Sequence, residues 1–129
     1  MTQSSLSRVL WLDALSCAAI FVLGAFASGF VGTLLGLPPA VVAAGGWICL
    51  AAGAALAFLA ARPAKWLLAL VIAGNVAWIA ASVAVWLAWF GALTSLGHAV
   101  LLAQAAAVAL FVALELRGLR SASYKPASS

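Results

Sequence analysis

Four apolar runs divide this chain, and each is long enough to cross a lipid bilayer. A span needs about 20 largely apolar residues to traverse roughly 30 Å of hydrocarbon. The runs extend from Val9 to about Val31, from about Ala40 to Ala61, from Trp66 to about Phe90, and from about Leu96 to Leu116. Between them stand Gly32-Thr33 with Leu37-Pro38-Pro39, then Arg62-Pro63-Ala64-Lys65, then Gly91 to Ser95. Arg117-Gly118-Leu119-Arg120 closes the last run. The prolines fall between runs, where a missing backbone donor costs little. Hydrocarbon cannot hydrogen-bond irregular backbone, so each run is predicted to be a helix. The expected fold is all-α: an antiparallel four-helix transmembrane bundle over residues 1–120, followed by a short, Ser-rich, disordered cytoplasmic tail over 121–129.

Charge excludes most alternatives. The 129 residues are 68% hydrophobic and 6% charged, against roughly half apolar and about a quarter charged in an average soluble domain. Eight charged side chains, six Lys/Arg and two Asp/Glu, cannot cover a soluble globule of this length. A soluble enzyme and a disordered chain are excluded. Nucleic-acid binding is excluded too, because the net charge of +4 includes no basic cluster. The first run has the basic flank (Arg8) and the Ala25-Phe26-Ala27 triplet of a cleavable signal. Its apolar stretch is too long for one, and Asp13 interrupts its start, so it is predicted to stay as a span.

The cations also give an orientation. Arg8 precedes the first run, Arg62 and Lys65 separate the second from the third, and Arg117, Arg120 and Lys125 follow the fourth. The other two loops carry no Lys or Arg. With four spans all six cations lie on one side, so both termini are expected in the cytoplasm. Trp11 and Trp66 would mark the inner interface, and Trp86 and Trp89 the outer one. So one-sided a distribution is incompatible with insertion in both orientations.

Small residues recur at helical spacing. Gly24, Ser28 and Gly32 do so in the first run, and Gly45, Cys49, Gly53, Ala57 and Ala61 in the second. Such rows let helix backbones approach closely in lipid, and internal packing is the first explanation for them, ahead of a dimer face.

The polar residues form two levels. Asp13 and Glu115, with Ser16 and Cys17 close by, lie about one turn inside the cytoplasmic boundary at 1.5 Å per residue. Asn75 and Gln104 fall in the central third, on seams that also carry Trp78 and Ser82. The amides are expected to clasp each other across the third and fourth helices; lining a polar path is the alternative. Intramembrane carboxylates are candidates for a proton relay or cation site. Pairing of Asp13 with Arg117, or of Glu115 with Arg8, explains them more simply. The candidate ligand or polar-network residues are therefore Asp13, Ser16, Asn75, Trp78, Ser82, Gln104 and Glu115.

His98 stands alone near the outer end of the fourth run, where an interfacial hydrogen bond suits it better than haem ligation. Cys17 and Cys49 read as buried thiols, with neither a metal site nor a disulfide expected. No nucleophile elbow, HExxH, phosphate-cradling glycine loop or paired-cysteine motif occurs. Neither catalytic residues, a cofactor nor a metal is expected.

Several stretches carry a family likeness. Asp13-Ala14-Leu15-Ser16, Leu35-Gly36-Leu37-Pro38, Gly74-Asn75-Val76-Ala77-Trp78 with Ser82, Leu96-Gly97, Ala103-Gln104-Ala105 and Glu115-Leu116-Arg117-Gly118-Leu119-Arg120 together resemble a family of small uncharacterised four-span bacterial inner-membrane proteins. That resemblance implies a multi-pass protein of the bacterial inner (plasma) membrane. In size and span count the chain is also similar to small multidrug-resistance transporters, which carry an acidic residue in their first helix. The glycine- and aromatic-rich motif of their third helix is absent here. The leading functional expectation is a non-enzymatic scaffold or accessory subunit, packing through small-residue faces on itself or on a larger membrane complex. The alternative is a small solute or proton-coupled transporter or channel using Asp13, Asn75, Gln104 and Glu115. Convergence of those four on one water-sized cavity would separate the two.

Overall fold

The computed structural model describes residues 3–120, so the tail expected over 121–129 lies outside the described residues. Five helices occur in this order: α1 (Gln3–Phe26), α2 (Ser28–Leu35), α3 (Pro39–Ala61), α4 (Lys65–Ala88) and α5 (Ser95–Arg120). Among the described residues there is no strand. α1, α3, α4 and α5 are each long and apolar enough to cross a membrane. Large apolar side chains such as Phe26, Phe58, Trp66 and Leu87 lie exposed along these helices. Lipid accepts that surface and water does not.

The first apolar run differs from its expected form. It is not one helix to Val31 but bends at Ala27 (φ −134°, ψ 29°), where α1 passes into the short α2. Ser28 and Gly29 follow directly, and Gly/Ser pairs are a common cause of such a kink. α2 ends at Gly36, whose φ of +79° is a left-handed cap that suits glycine, with its N–H on the Gly32 carbonyl. Pro39 then starts α3 at the one helical turn where a missing donor is free.

Contacts among the four long helices follow the ring order α1, α3, α4, α5 and back to α1. The α1/α3 interface is much the largest, α4/α5 comes next, and α3/α4 is thin. Glycine explains the first. A Cβ on Gly24 would lie 2.7 Å from the Val42 carbonyl oxygen and 2.8 Å from Gly46 Cα, so the two backbones touch there. Further along the same seam a Cβ on Gly53 would meet Cys17 Cβ at 3.2 Å. Of the expected rows, Gly24 and Gly53 pack α1 against α3. The partner of Gly24 is Gly46, one step round from the expected Gly45, which faces Trp78 of α4. Gly32 lies in α2, against Leu37 and Pro39. Near the other end of α1, Leu6 fills the space over Gly118 of α5. Leu6, Leu10, Ala14 and Cys17 of α1 join Cys49, Leu56 and Leu59 of α3 and Leu67, Leu68 and Ile72 of α4 in one apolar core.

At the opposite end Thr94 fastens α2 to α5. Its Oγ1 donates to the Leu34 carbonyl at 2.6 Å and accepts from the Gly97 N–H at 3.0 Å, capping α5, while its own N–H reaches the Leu35 carbonyl at 3.1 Å.

Gly46→Val is expected to lower stability by about 1–3 kcal/mol, because the added side chain must part α1 from α3. Gly74→Ala, where a Cβ meets nothing within 4 Å, should be neutral or slightly stabilising. Thermal unfolding in detergent, followed by tryptophan fluorescence, checks both. Equal stability of Gly46→Val and the native chain would refute the close crossing.

Candidate functional site

The site grows out of the buried stripes of three helices. On α1 the residues Leu6, Leu10, Asp13, Ala14 and Cys17 are buried at three- and four-residue steps, so Asp13 takes a core position that a leucine could hold. On α4 the stripe Leu68, Ile72, Asn75 and Ser82 turns the same way, and on α5 Glu115 and Gly118 are buried. Asp13 is 3% exposed and Glu115 not at all. Since the sequence holds only two acidic residues, every carboxylate side chain in the protein is in this one place.

Asn75 joins them. Its Nδ2 donates to Asp13 Oδ2 at 3.2 Å and to Glu115 Oε1 at 2.9 Å, so both protons of a single amide are directed at two different carboxyl groups. Cys17 Sγ, one turn along α1, donates to Asp13 Oδ1 at 3.9 Å. The shared Nδ2 thus brings the two carboxyl groups to one point. Glu115 Oε2 is buried and has no donor. Two carboxylates are acceptors only, and a hydrogen bond between them requires a proton on one.

Two expectations are corrected here. Neither carboxylate pairs with arginine: Arg8 and Arg117 lie exposed, and among the described residues neither forms an ion pair with the acids. Asp13 and Glu115 lie on the inward stripes, whereas the arginine stems point outward along their helices. Asn75 and Gln104 are also not a clasp. Asn75 is claimed by the acids, and Gln104 belongs to a second network. There its Oε1 accepts from Trp78 Nε1 at 2.7 Å, and its Nε2 donates to Ser82 Oγ at 2.8 Å and to the Leu101 carbonyl at 3.1 Å. Ser82 Oγ in turn donates to the Trp78 carbonyl at 2.8 Å. Every polar atom of the Gln104 side chain thus has a partner without Asn75.

A third polar contact follows along the same α4/α5 seam. Trp86 Nε1 donates to His98 Nδ1 at 2.9 Å, and the imidazole packs edge-on to Phe90 with ring centroids 4.8 Å apart. Trp86 is therefore half-buried and engaged inside, not only a marker of the interface. The hydrogen bond expected of His98 is thus made to Trp86. Of the remaining candidates, Ser16 is exposed and donates to its own helix, at the Leu12 carbonyl, 2.9 Å away; it lies outside the site. Asp13, Asn75 and Glu115 converge, Trp78, Ser82 and Gln104 form a neighbouring group, and Cys17 is an addition. Its place was legible in the four-residue step from Asp13, which sets both side chains on one helix face.

Among the described residues no three His, Cys, Asp or Glu side chains are arranged to hold a metal ion. Comparison with protein-family models, with curated proteins and with solved structures yields no match.

Asn75→Leu should cost about 1–3 kcal/mol, because it leaves two buried carboxyl groups without their shared donor. Gln104→Leu should cost about 0.6–2 kcal/mol. As the two amides sit in separate networks, the double variant should equal the sum to within about 0.5 kcal/mol, whereas Gln104→Leu with Ser82→Ala should fall short of additivity. Unfolding titrations in mixed micelles measure these costs. A strong coupling between positions 75 and 104 would show that the amides touch.

Proposed function

We propose that this chain is a small membrane protein of the transporter or channel class, whose working centre is the Asp13–Asn75–Glu115 cluster and whose exchanged ion is a proton. One observation carries the reading. Both acidic residues of the chain, drawn from the first and last long helices, meet at one amide inside the protein, and among the described residues no cation pairs with them. Such a placement is expensive if it only packs helices, since leucine would pack at lower cost. It is useful if a proton comes and goes. A proton on Glu115 Oε2 turns that unpartnered acceptor into a donor. When the proton leaves, the Asn75 amide remains the donor for both groups. Asp13 and Glu115 are both buried, so an ion that reaches them must shed its water, which favours a proton over a hydrated metal cation.

The polar groups on the α4/α5 seam suggest the rest of the route. Beyond the cluster come Ser82 and Gln104, then His98 and Trp86. Between Glu115 and Gln104 the α5 seam carries Phe111 and Val108. This apolar step is the barrier in the proposal, and water must enter there for a proton to cross.

The scaffold reading weakens for a specific reason. The glycines that recommended it are largely in use inside the chain: Gly24 and Gly53 lie between α1 and α3, Gly45 faces Trp78 of α4, and Gly32 meets Leu37. In the proposed topology the four long helices run antiparallel, as the α4/α5 hydrogen bonds favour, since higher positions on α4 pair with lower positions on α5. Both termini face the cytoplasm of a bacterial inner membrane, in keeping with the one-sided cations and with the family likeness of the sequence.

In liposomes with a clamped membrane potential and an internal pH-sensitive dye, the native chain should speed proton equilibration over empty liposomes. Asp13→Asn and Glu115→Gln, near-isosteric and helical by circular dichroism, should each cut that flux at least tenfold. Native flux equal to empty liposomes, or flux untouched by both substitutions, would sink the proposal. For the topology, membrane-impermeant maleimide applied from outside should label cysteines placed at 36–39 and 91–95 and spare those placed at 62–65. The opposite pattern would invert it.

A further inference from the structure

α1 and α3 meet in a fixed register. Gly24 lies against Gly46 and Cys17 against Gly53, so seven residues back along α1 are seven residues forward along α3. Carried on at that pace, the register sets Arg8 of α1 level with Arg62, which caps the end of α3. Leu6 and Leu10 share one apolar core with Leu56 and Leu59, so the two helices stay together as far as that end. Both arginines are exposed. The chain has only two acidic side chains to offer them, and both are buried at Asn75 instead.

A groove of about 310 Å³ runs between the same two helices, away from the arginines. Trp11 and Phe21 lie in its wall ten residues apart on α1, so it extends for about 15 Å at 1.5 Å per residue. Leu15 of α1 and Leu50, Ala54 and Ala57 of α3 line it as well. Trp11, Leu15, Leu50 and Ala54 are exposed, on helices long and apolar enough to sit in lipid, so the groove opens to the bilayer. Arg8 precedes Trp11 and Leu15 by three and seven residues, which puts all three on one face of α1. On α3, Arg62 follows Ala54 and Ala57 and leaves the helix there, at φ −134° and ψ 86°. The groove is thus apolar along its length and flanked at one end by two cations without a carboxylate partner.

We propose that this groove binds one anionic phospholipid, with an acyl chain lying along α1 and α3 and the phosphate held between Arg8 and Arg62. Shape and charge complementarity together commit the site to that occupant. A ligand that enters from hydrocarbon and follows a furrow of this length is itself long and apolar, as an acyl chain is. Guanidinium groups bind phosphate oxygens in a two-pronged geometry, and arginine stems lie along apolar surface while their heads reach the headgroup layer. A zwitterionic headgroup carries its own cation and leaves the two arginines only partly neutralised, whereas an anionic one neutralises them. The site stands apart from the Asp13–Asn75–Glu115 cluster and does not rest on proton flux through it.

The test uses the full chain purified in mild detergent, with dioleoyl phosphatidylglycerol and dioleoyl phosphatidylcholine as probes, so that the acyl chains are identical. Native mass spectrometry counts the lipids retained per chain, and circular dichroism checks that each variant is helical. The native chain should keep one phosphatidylglycerol and hold it about tenfold more tightly than phosphatidylcholine, the gain expected of two arginines at a headgroup. Arg8→Gln with Arg62→Gln should abolish that preference. Arg117→Gln with Arg120→Gln removes the same charge from α5, which does not line the groove, and should preserve it. Ala54→Phe, which fills the groove from its rim, should lose the bound lipid, and glycerol phosphate should not displace it from the native chain. Equal retention of the two lipids by the native chain would overturn the proposal, as would loss of the preference in the α5 variant. Native retention by Ala54→Phe, or displacement by glycerol phosphate, would show that the groove holds no acyl chain and would overturn it too.

Discussion

A carboxyl group within hydrocarbon must be bonded, paired or protonated, and the rest of this structure is arranged around meeting that demand twice in one place. The cost of an isolated charge there is several kcal/mol even after relaxation. Neither Asp13 nor Glu115 uses the remedy nearest in sequence, an arginine two to five residues away on the same helix. They share Asn75 instead. That choice fixes three helices relative to one another. α1 must turn its Asp13 stripe inward, α5 must do the same with Glu115, and α4 must bring an amide to the point where they meet. α1 and α4 sit diagonally across the ring and make no direct backbone approach, so the length of the Asn75 side chain closes the gap that no helix–helix contact closes.

Glycine makes this geometry possible without sharing in its chemistry. Gly24 and Gly46 let α1 and α3 meet backbone to backbone, and Gly118 leaves room for Leu6 where α1 meets α5. In lipid, where apolar burial gives little preference for one partner over another, such close approaches supply the van der Waals energy that orders helices. They also set the rotation of α1. A rotation that turned Asp13 to lipid would carry Gly24 off Gly46 as well, so the packing of small residues and the burial of the acid stand or fall together.

Much of this was legible in the sequence, and the failures are instructive. The four spans follow from run length against bilayer thickness, and the small-residue rows from their four-residue period. The two polar levels also follow from depth at 1.5 Å per residue. What depth does not give is the rotation of each helix about its axis. Asn75 and Gln104 were matched by height, but Asn75 is turned toward α1, where Asp13 waits, and Gln104 is turned toward Trp78 and Ser82. The kink at Ala27 was hidden because its cause, Ser28-Gly29, is also part of a packing row. The meeting of Cys17 with Gly53 required the register of α1 against α3, which no periodicity in either helix alone contains. Thr94 was readable as a cap of α5, but its bond to the Leu34 carbonyl, across sixty residues, was not.

The unequal interfaces bear on how a change at the cluster would be felt. α1 and α3 are locked by glycine crossings, and α4 and α5 are joined by hydrogen bonds along their seam, from Trp78–Gln104 to Trp86–His98. Between these two pairs the packing is thin: α3 meets α4 lightly, and α1 meets α5 mainly through Leu6 over Gly118. The cluster crosses this weaker boundary, with Asp13 in one pair and Asn75 and Glu115 in the other. A proton lost from it removes attraction at the boundary and leaves two like charges facing across it. Strain of that kind falls on the thinnest packing, which lies between the two pairs and not within either. The tie of Thr94 to Leu34 and Leu35, next to the left-handed Gly36, holds the far end of the boundary closed. The cluster and this tie are thus polar joints between the two helix pairs, placed where the apolar packing between them is thin.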